Sequence, residues 1–250
     1  MSLLGVQRRG SGPPLVWLHG FTQTKGSAHQ FRSILAGTNE LLTLDLPGHG
    51  ENAAIAASLD ETADLLAEVL PQDPFTLGGY SFGSRVALHF ALRYPQRLSA
   101  LVLLGASRGI FDRAEREKRK QSDDALAARI EEIGSDTFLD EWLAREMFKS
   151  LPKDPLERAA RSTDASGLAS SLRHAGAGTQ RWLAPELASL SVPTLALAGA
   201  LDRKFSLEAT AIAEGVVNGD AEYVPDAHHA AHLEHPDLTA VLVQRFTRQF

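Results

Sequence analysis

Short, nearly uninterrupted apolar runs recur along the chain. Each is closed by glycine, proline, histidine or aspartate, and between them lie stretches whose apolar residues return every three or four positions. Leu15–Leu18 ends in His19-Gly20-Phe21, and Leu41–Leu46 closes on Pro47-Gly48-His49-Gly50. Pro74–Leu77 leads into Gly78-Gly79, Ala100–Leu104 into Gly105-Ala106-Ser107, and Val192–Ala198 into Gly199-Ala200-Leu201-Asp202. Runs this short, without polar alternation, predict strands buried on both faces of a parallel sheet. Leu3–Arg8 reads as a short edge strand before the turn Gly10–Pro14, and Ala221–Val224 as a last strand. Helical spacing covers Glu61–Leu70, with Asp60 or Thr62 as its cap, and then Arg85–Tyr94, Ser206–Glu214 and Pro236–Phe246.

Strands alternating with helices imply right-handed crossovers and a mostly parallel sheet with helices on both faces. Sheets of this kind carry their sites at the carboxyl ends of the strands. His19-Gly20, Gly48-His49-Gly50, Ser81 and Gly105-Ala106-Ser107 fall at such ends. From Arg108 to about Leu190 the alternation stops, and a charged, alanine-rich helical pattern replaces it, punctuated by Pro152-Lys153-Asp154-Pro155. The pattern predicts an α/β core of residues 1–107 and 191–250, with residues 108–190 inserted as a helical cap over the site.

A chain of 250 residues, 44% hydrophobic and 22% charged, can bury a large core as one α/β domain. Its net charge of −6 offers no general attraction for nucleic acid or anionic membrane, so any anion site must be local. The absence of cysteine excludes disulfides, thiolate metal sites and a cysteine nucleophile. No acidic cluster supports the nine histidines as metal ligands, and no metal or cofactor is expected. Met1–Arg9 lacks a long apolar region and Leu15–Leu18 is too short to span a bilayer, which makes the cytoplasm the expected location. The composition leaves the oligomeric state open.

The chemistry centres on Gly79-Tyr80-Ser81-Phe82-Gly83, between a strand and a helix. This is the G-x-S-x-G pattern of a nucleophile elbow, a sharp turn that exposes the serine hydroxyl at a helix N-terminus. A side chain at either glycine would clash where strand and helix backbones come close. Taken alone, the pentapeptide also fits an ordinary strand–turn–helix with a capping serine. Downstream, however, come Asp202 and then a histidine-rich loop with His228, His229, His232 and His235, in the chain order of the α/β-hydrolase triad. A serine hydroxyl needs an imidazole to remove its proton, and the imidazole needs a carboxylate to hold its tautomer. Asp202 also suits an N-cap of the following helix, and the histidine loop a solvated turn. The backbone N–H groups of Phe82, next to the serine, and Phe21, after the Leu15–Leu18 strand, are the candidates for an oxyanion hole.

Further segments extend the pattern. They are Asp45-Leu46-Pro47-Gly48-His49-Gly50, Arg85 after the elbow, Arg116 and Arg119 before Ser122-Asp123, Phe138 with Trp142, and Arg161 before Gly167-Leu168-Ala169. Gly178-Thr179-Gln180, Leu201-Asp202-Arg203-Lys204-Phe205 and Ala227–Pro236 complete the set. With these, the whole chain resembles the α/β-hydrolase fold, and more narrowly the 2-succinyl-6-hydroxy-2,4-cyclohexadiene-1-carboxylate synthases of menaquinone or phylloquinone biosynthesis. In that family the last segment reads Ala-Gly-His-x-x-His-x-Glu-x-Pro, so the resemblance makes His229 the catalytic histidine and His232 a structural one. Three positions depart from it: His228 replaces a glycine, Ser84 replaces a glycine, and Arg108 stands in a Ser-Pro-Gly turn.

The resemblance implies a lyase that removes pyruvate from 2-succinyl-5-enolpyruvyl-6-hydroxy-3-cyclohexene-1-carboxylate, with Ser81, His229 and Asp202 acting as a base. It also implies a small-molecule polycarboxylate as partner, met by Arg85, Arg119 and Arg161, whose forks suit bidentate carboxylate binding. Tyr80 beside the serine, Trp142 as a cap-side wall and Lys204 are further substrate-binding candidates. From the residues alone, Arg113, Arg116 and Arg119 also read as a solvated helix face paired with Glu115 and Glu117. Arg85, in the first turns of its helix where the dipole disfavours a cation, calls for a ligand or partner. The competing readings are a serine hydrolase of esters or carbon–carbon bonds and a non-catalytic small-molecule receptor.

Overall fold

The apolar runs become the strands of one sheet. A computed structural model describes residues 4–250. Among them seven strands pair: β1 (Val6–Arg9), β2 (Pro14–Leu18), β3 (Glu40–Leu44), β4 (Phe75–Tyr80), β5 (Leu98–Leu104), β6 (Thr194–Gly199) and β7 (Gly219–Val224). Their spatial order is β1-β3-β2-β4-β5-β6-β7. Only β1 runs antiparallel, against β3, and the other neighbours are parallel. The edge strand expected over Leu3–Arg8 begins at Val6, and Leu3 lies outside the described residues.

The reason the strands read as unbroken apolar runs is that both sheet faces are covered. Val16, Leu18, Leu42, Leu44, Leu101 and Leu103 join one core cluster, with α2 (Leu59–Val69), α3 (Phe82–Arg93) and α8 (Arg203–Gly215). Their sequence neighbours Leu15, Trp17, Leu41, Ala100, Val102 and Leu104 join the other, with α1 (His29–Leu35) and α10 (Pro236–Thr247). Alternate residues of a strand point to opposite faces, so a two-sided sheet needs an apolar residue at every position.

Two details differ from the sequence reading. α2 is capped by Ser58, not Asp60 or Thr62: the Ser58 hydroxyl accepts from the Glu61 N–H while Glu61 reaches back to the Ser58 N–H. α1 was not foreseen, because its seven residues follow Ala28 in a left-handed conformation (φ 57°) with no capping side chain.

Between β5 and β6 lie α4 (Arg113–Leu143), α5 (Pro155–Ala159), α6 (Ala165–Ala175) and α7 (Ala184–Leu187). α4 breaks at Gly134, whose φ of 78° is left-handed. Ala127, Ile130, Phe138, Leu168, Ala169 and Leu172 form a separate apolar cluster, and Phe21 and Trp142 pack against it. The loop after β2 therefore touches the inserted helices beside Ser81. The short α9 (Ala231–Glu234) follows the histidine loop. Among the described residues, no helix is long and apolar enough to cross a membrane.

Candidate active site

β4 runs on through Gly78 and Gly79 to Tyr80, so the serine follows the strand without a spacer. Ser81 has φ 50° and ψ −104°, a conformation that a non-glycine residue adopts only under constraint. The constraint comes from close packing on both sides. A Cβ at Gly79 would lie 2.5 Å from the Gly83 carbonyl carbon, and one at Gly83 would lie 2.3 Å from the Leu18 oxygen. The Ser81 N–H donates to the Leu104 carbonyl at 2.8 Å, tying the turn to β5. Ser84, where the resembling family has glycine, donates its hydroxyl to the carbonyls of Gly79 and, at 2.9 Å, Leu104. Its extra atoms thus brace the turn.

Asp202 follows β6 and His229 follows β7, and both reach the serine. His229 Nε2 lies 2.9 Å from Ser81 Oγ, and His229 Nδ1 lies 2.9 Å from Asp202 Oδ2. Asp202 also caps α8, through Oδ1, which accepts from the Phe205 N–H at 3.3 Å. The two readings of this aspartate coexist because each uses its own oxygen. Burial raises its carboxyl, but the hydrogen bond and charge of His229, with the Phe205 N–H and Lys204, outweigh that and leave its pKa lowered. An ionised Asp202 holds the imidazole with its proton on Nδ1 and its Nε2 free to accept from the serine.

The histidine loop is held by a residue that sequence reasoning left unassigned. Glu234, its side chain 2% exposed, accepts from the His228 N–H at 2.9 Å and the Ala230 N–H at 3.1 Å, on either side of His229. The Glu in the His-x-Glu motif was the available signal. His228 turns away from the serine, its Nδ1 3.0 Å from Ser150 Oγ. Buried His232 packs on Tyr80 with ring centroids 4.2 Å apart, and burial lowers its pKa to about 3. It is a neutral packing residue beneath the site.

Phe82 opens α3, where the first N–H groups have no intrahelical acceptor. Phe21 lies in the loop after β2, and that loop is pinned from beneath. His49 Nε2 accepts from the Thr22 N–H at 3.3 Å, and its ring stacks on Phe82 at 5.5 Å. His19 Nε2 accepts from the Leu46 N–H at 3.0 Å, which accounts for this histidine as a loop pin. Burial keeps both imidazoles neutral, lowering His19 to about 4 and His49 to about 3.

A cavity of about 830 Å³ opens over Ser81 and His229. Phe21, Tyr80, Phe82, Arg85, Arg119, Trp142 and Lys204 all line it. Arg85 is partnered by the last turn of α6: its Nη1 donates to the Ala175 carbonyl at 2.9 Å, a helix C-terminus that favours a cation. Burial lowers its pKa to about 10, still charged at neutral pH. Arg119 pairs with Asp123 at 2.8 Å rather than with Glu115 or Glu117. Arg161 is not brought to this cavity. It is 6% exposed, donates to Thr22 Oγ1 at 2.7 Å beneath the Phe21 loop, and lines a second cavity of about 900 Å³. Conversely, Arg129, Arg145 and Phe148 line the first cavity without having been singled out, and Phe205 of the Leu201–Phe205 segment lines it too. Among the described residues, no group of three or more metal-ligating side chains occurs.

Comparison with known proteins agrees with this geometry. Residues 15–242 match the alpha/beta hydrolase family. The chain is 32% identical to the 2-succinyl-6-hydroxy-2,4-cyclohexadiene-1-carboxylate synthase of Serratia proteamaculans, over 94% of this chain and 92% of that one. The solved structure of MenH from S. aureus is 30% identical and superposes with a TM-score of 0.91, covering 100% of this chain and 99% of that one. A thermophilic esterase from Thermogutta terrifontis, solved with malate bound, is 25% identical with a TM-score of 0.83, covering 98% and 93%. Sequence and fold converge, and the chain belongs to the alpha/beta hydrolase family and, within it, to the 2-succinyl-6-hydroxy-2,4-cyclohexadiene-1-carboxylate synthases.

Proposed function

We propose that the protein is a carbon–oxygen lyase that eliminates pyruvate from 2-succinyl-5-enolpyruvyl-6-hydroxy-3-cyclohexene-1-carboxylate, giving 2-succinyl-6-hydroxy-2,4-cyclohexadiene-1-carboxylate. The observation that carries this reading is an unbroken Ser81–His229–Asp202 hydrogen-bond chain opening into a cavity edged with arginine and lysine. A substrate with three carboxylates uses such cations, whereas an apolar ester does not.

His229 takes the Ser81 proton, and the serine oxygen removes the ring proton at C2, next to the succinyl ketone. Negative charge develops on that ketone oxygen, where the N–H groups of Phe21 and Phe82 receive it. The electron pair then forms C2=C3, the former C3=C4 pair shifts to C4=C5, and the C5–O bond breaks. The enolpyruvyl group leaves with that pair as the enolate, and the proton that His229 took from Ser81 passes to it, giving pyruvate and restoring the triad. No acyl-enzyme forms. Residues 108–190 act as the cap over a core of residues 1–107 and 191–250, with Trp142 as wall and Tyr80 beside the nucleophile. Substrate and product carry two or three charges that prevent unaided passage through bilayers, and the enzyme works in the cytoplasm.

The likeness to an esterase keeps one second reading, a serine hydrolase using the same triad. One experiment separates the two: pyruvate release, followed by coupled lactate dehydrogenase, measured beside p-nitrophenyl acetate hydrolysis. The lyase predicts fast pyruvate release with negligible esterase activity. The reverse result sinks it.

A further inference from the structure

Five cationic side chains line the cavity over Ser81, and they differ in what neutralises them. Arg129 is held by Glu132 and Glu141 at 3.1 and 2.8 Å, and Arg119 by Asp123 at 2.8 Å. Arg85, Lys204 and Arg145 have no carboxylate partner among the described residues. Arg85 donates to a carbonyl, Lys204 lies 5.2 Å from the Phe205 ring centroid, and Arg145 lies 4.4 Å from that of Trp142.

Arg145 follows α4 in a turn fixed at both ends, where its own N–H donates to the Trp142 carbonyl and the Phe148 N–H donates to the Arg145 carbonyl. A guanidinium over an indole face keeps its in-plane N–H donors available for a second, coplanar acceptor. We propose that Arg145 is a substrate-specificity residue: braced on Trp142 at the cavity rim, it receives one carboxylate of the polycarboxylate substrate. With Arg85 and Lys204 it completes a set of three cations outside any ion pair of the described residues, for three carboxylates. The proposal rests on the lyase reading and adds to it a residue that neither motif nor spacing points to. Arg145 also faces a like charge. Burial, and then the neighbouring Arg119, hold its pKa below the usual arginine range against the opposing charge of Glu141, and a bound carboxylate offsets the Arg119 repulsion.

The test is steady-state pyruvate release by wild type, Arg145→Gln, Arg145→Lys and Arg145→Glu, at low and high salt. Arg113→Gln, an exposed position outside the cavity, controls for net charge. In Arg145→Gln, KM rises roughly tenfold with kcat within about twofold, as for a lost charged contact at a rim. Arg145→Glu rises further, and Arg145→Lys recovers part of the loss. The fall of kcat/KM with salt is shallower in Arg145→Gln than in wild type or Arg113→Gln. An unchanged KM and salt dependence in Arg145→Gln, with an active wild type, overturns the specificity role alone. An inactive wild type overturns the lyase reading and this proposal with it.

Discussion

At the scale of single residues, the proposed base Ser81 is also where the backbone strain lies. Its positive φ is held by contacts around Gly79 and Gly83, and strain of this kind costs on the order of 1–3 kcal/mol. Ser81→Gly is expected to abolish turnover while raising the thermal midpoint, by about 2–4 °C for each kcal/mol recovered in a chain of this size. A lower midpoint contradicts the strain argument. Ser81→Ala and His229→Ala are each expected to lower kcat by roughly 10⁴ or more, read by pyruvate release. Near-normal turnover in His229→Ala removes it from the base role. Glu234 holds His229 by the N–H groups on either side of it. In Glu234→Gln one oxygen is replaced by a donor that cannot accept. The loop then loses one tie, and kcat falls about 10–100-fold with little change in KM. An unchanged kcat at an unchanged thermal midpoint rejects this role.

At the scale of elements, the elbow was legible because its steric demands are local. Only residues without a side chain fit at Gly79 and Gly83, and the sequence displays both. Gly83→Ala forces a methyl to within 2.3 Å of the Leu18 oxygen and is expected to cost about 1–3 kcal/mol in denaturant unfolding, with activity lost as the turn shifts. The capping box of α2 is worth about 1 kcal/mol, and Ser58→Ala tests it with no expected effect on catalysis. Helix α1 escaped the sequence reading for the opposite reason. Seven residues carry too few turns for a periodic signal, and packing of Phe31 and Leu35, not capping, holds it.

At the scale of the whole molecule, burial of neutral histidines sets the acid limit. His19, His49 and His232 are lowered by burial to about 4, 3 and 3. An unfolded histidine titrates near 6.5, so below that value the unfolded chain binds protons that the folded chain refuses. Their contribution is complete above about pH 6.5 and is lost as pH falls toward 4 and then 3, at about 1.4 kcal/mol per pH unit for each histidine. Unfolding followed between pH 7 and 4 is expected to show that fall, with a shallower slope in His49→Gln. A flat profile rejects it. The sequence by itself determined the parallel sheet, the elbow and the order serine, aspartate, histidine, because apolar runs and glycine turns are constraints between near neighbours. It also marked Glu234, without its purpose. The sequence also named Arg85, Arg119 and Lys204, which line the cavity, but that Arg161 is absent from it and Arg145 present was decided only by the tertiary structure. Arg161 carries the family signature yet lies beneath the Phe21 loop, while Arg145 carries none and lines the cavity. Arg161 takes its place from Thr22, a partner distant in the chain, and spacing along a helix does not encode where such a partner lies. Arg145 rests on Trp142, only three residues before it, but whether that turn reaches the serine depends on how the inserted helices fold over the sheet.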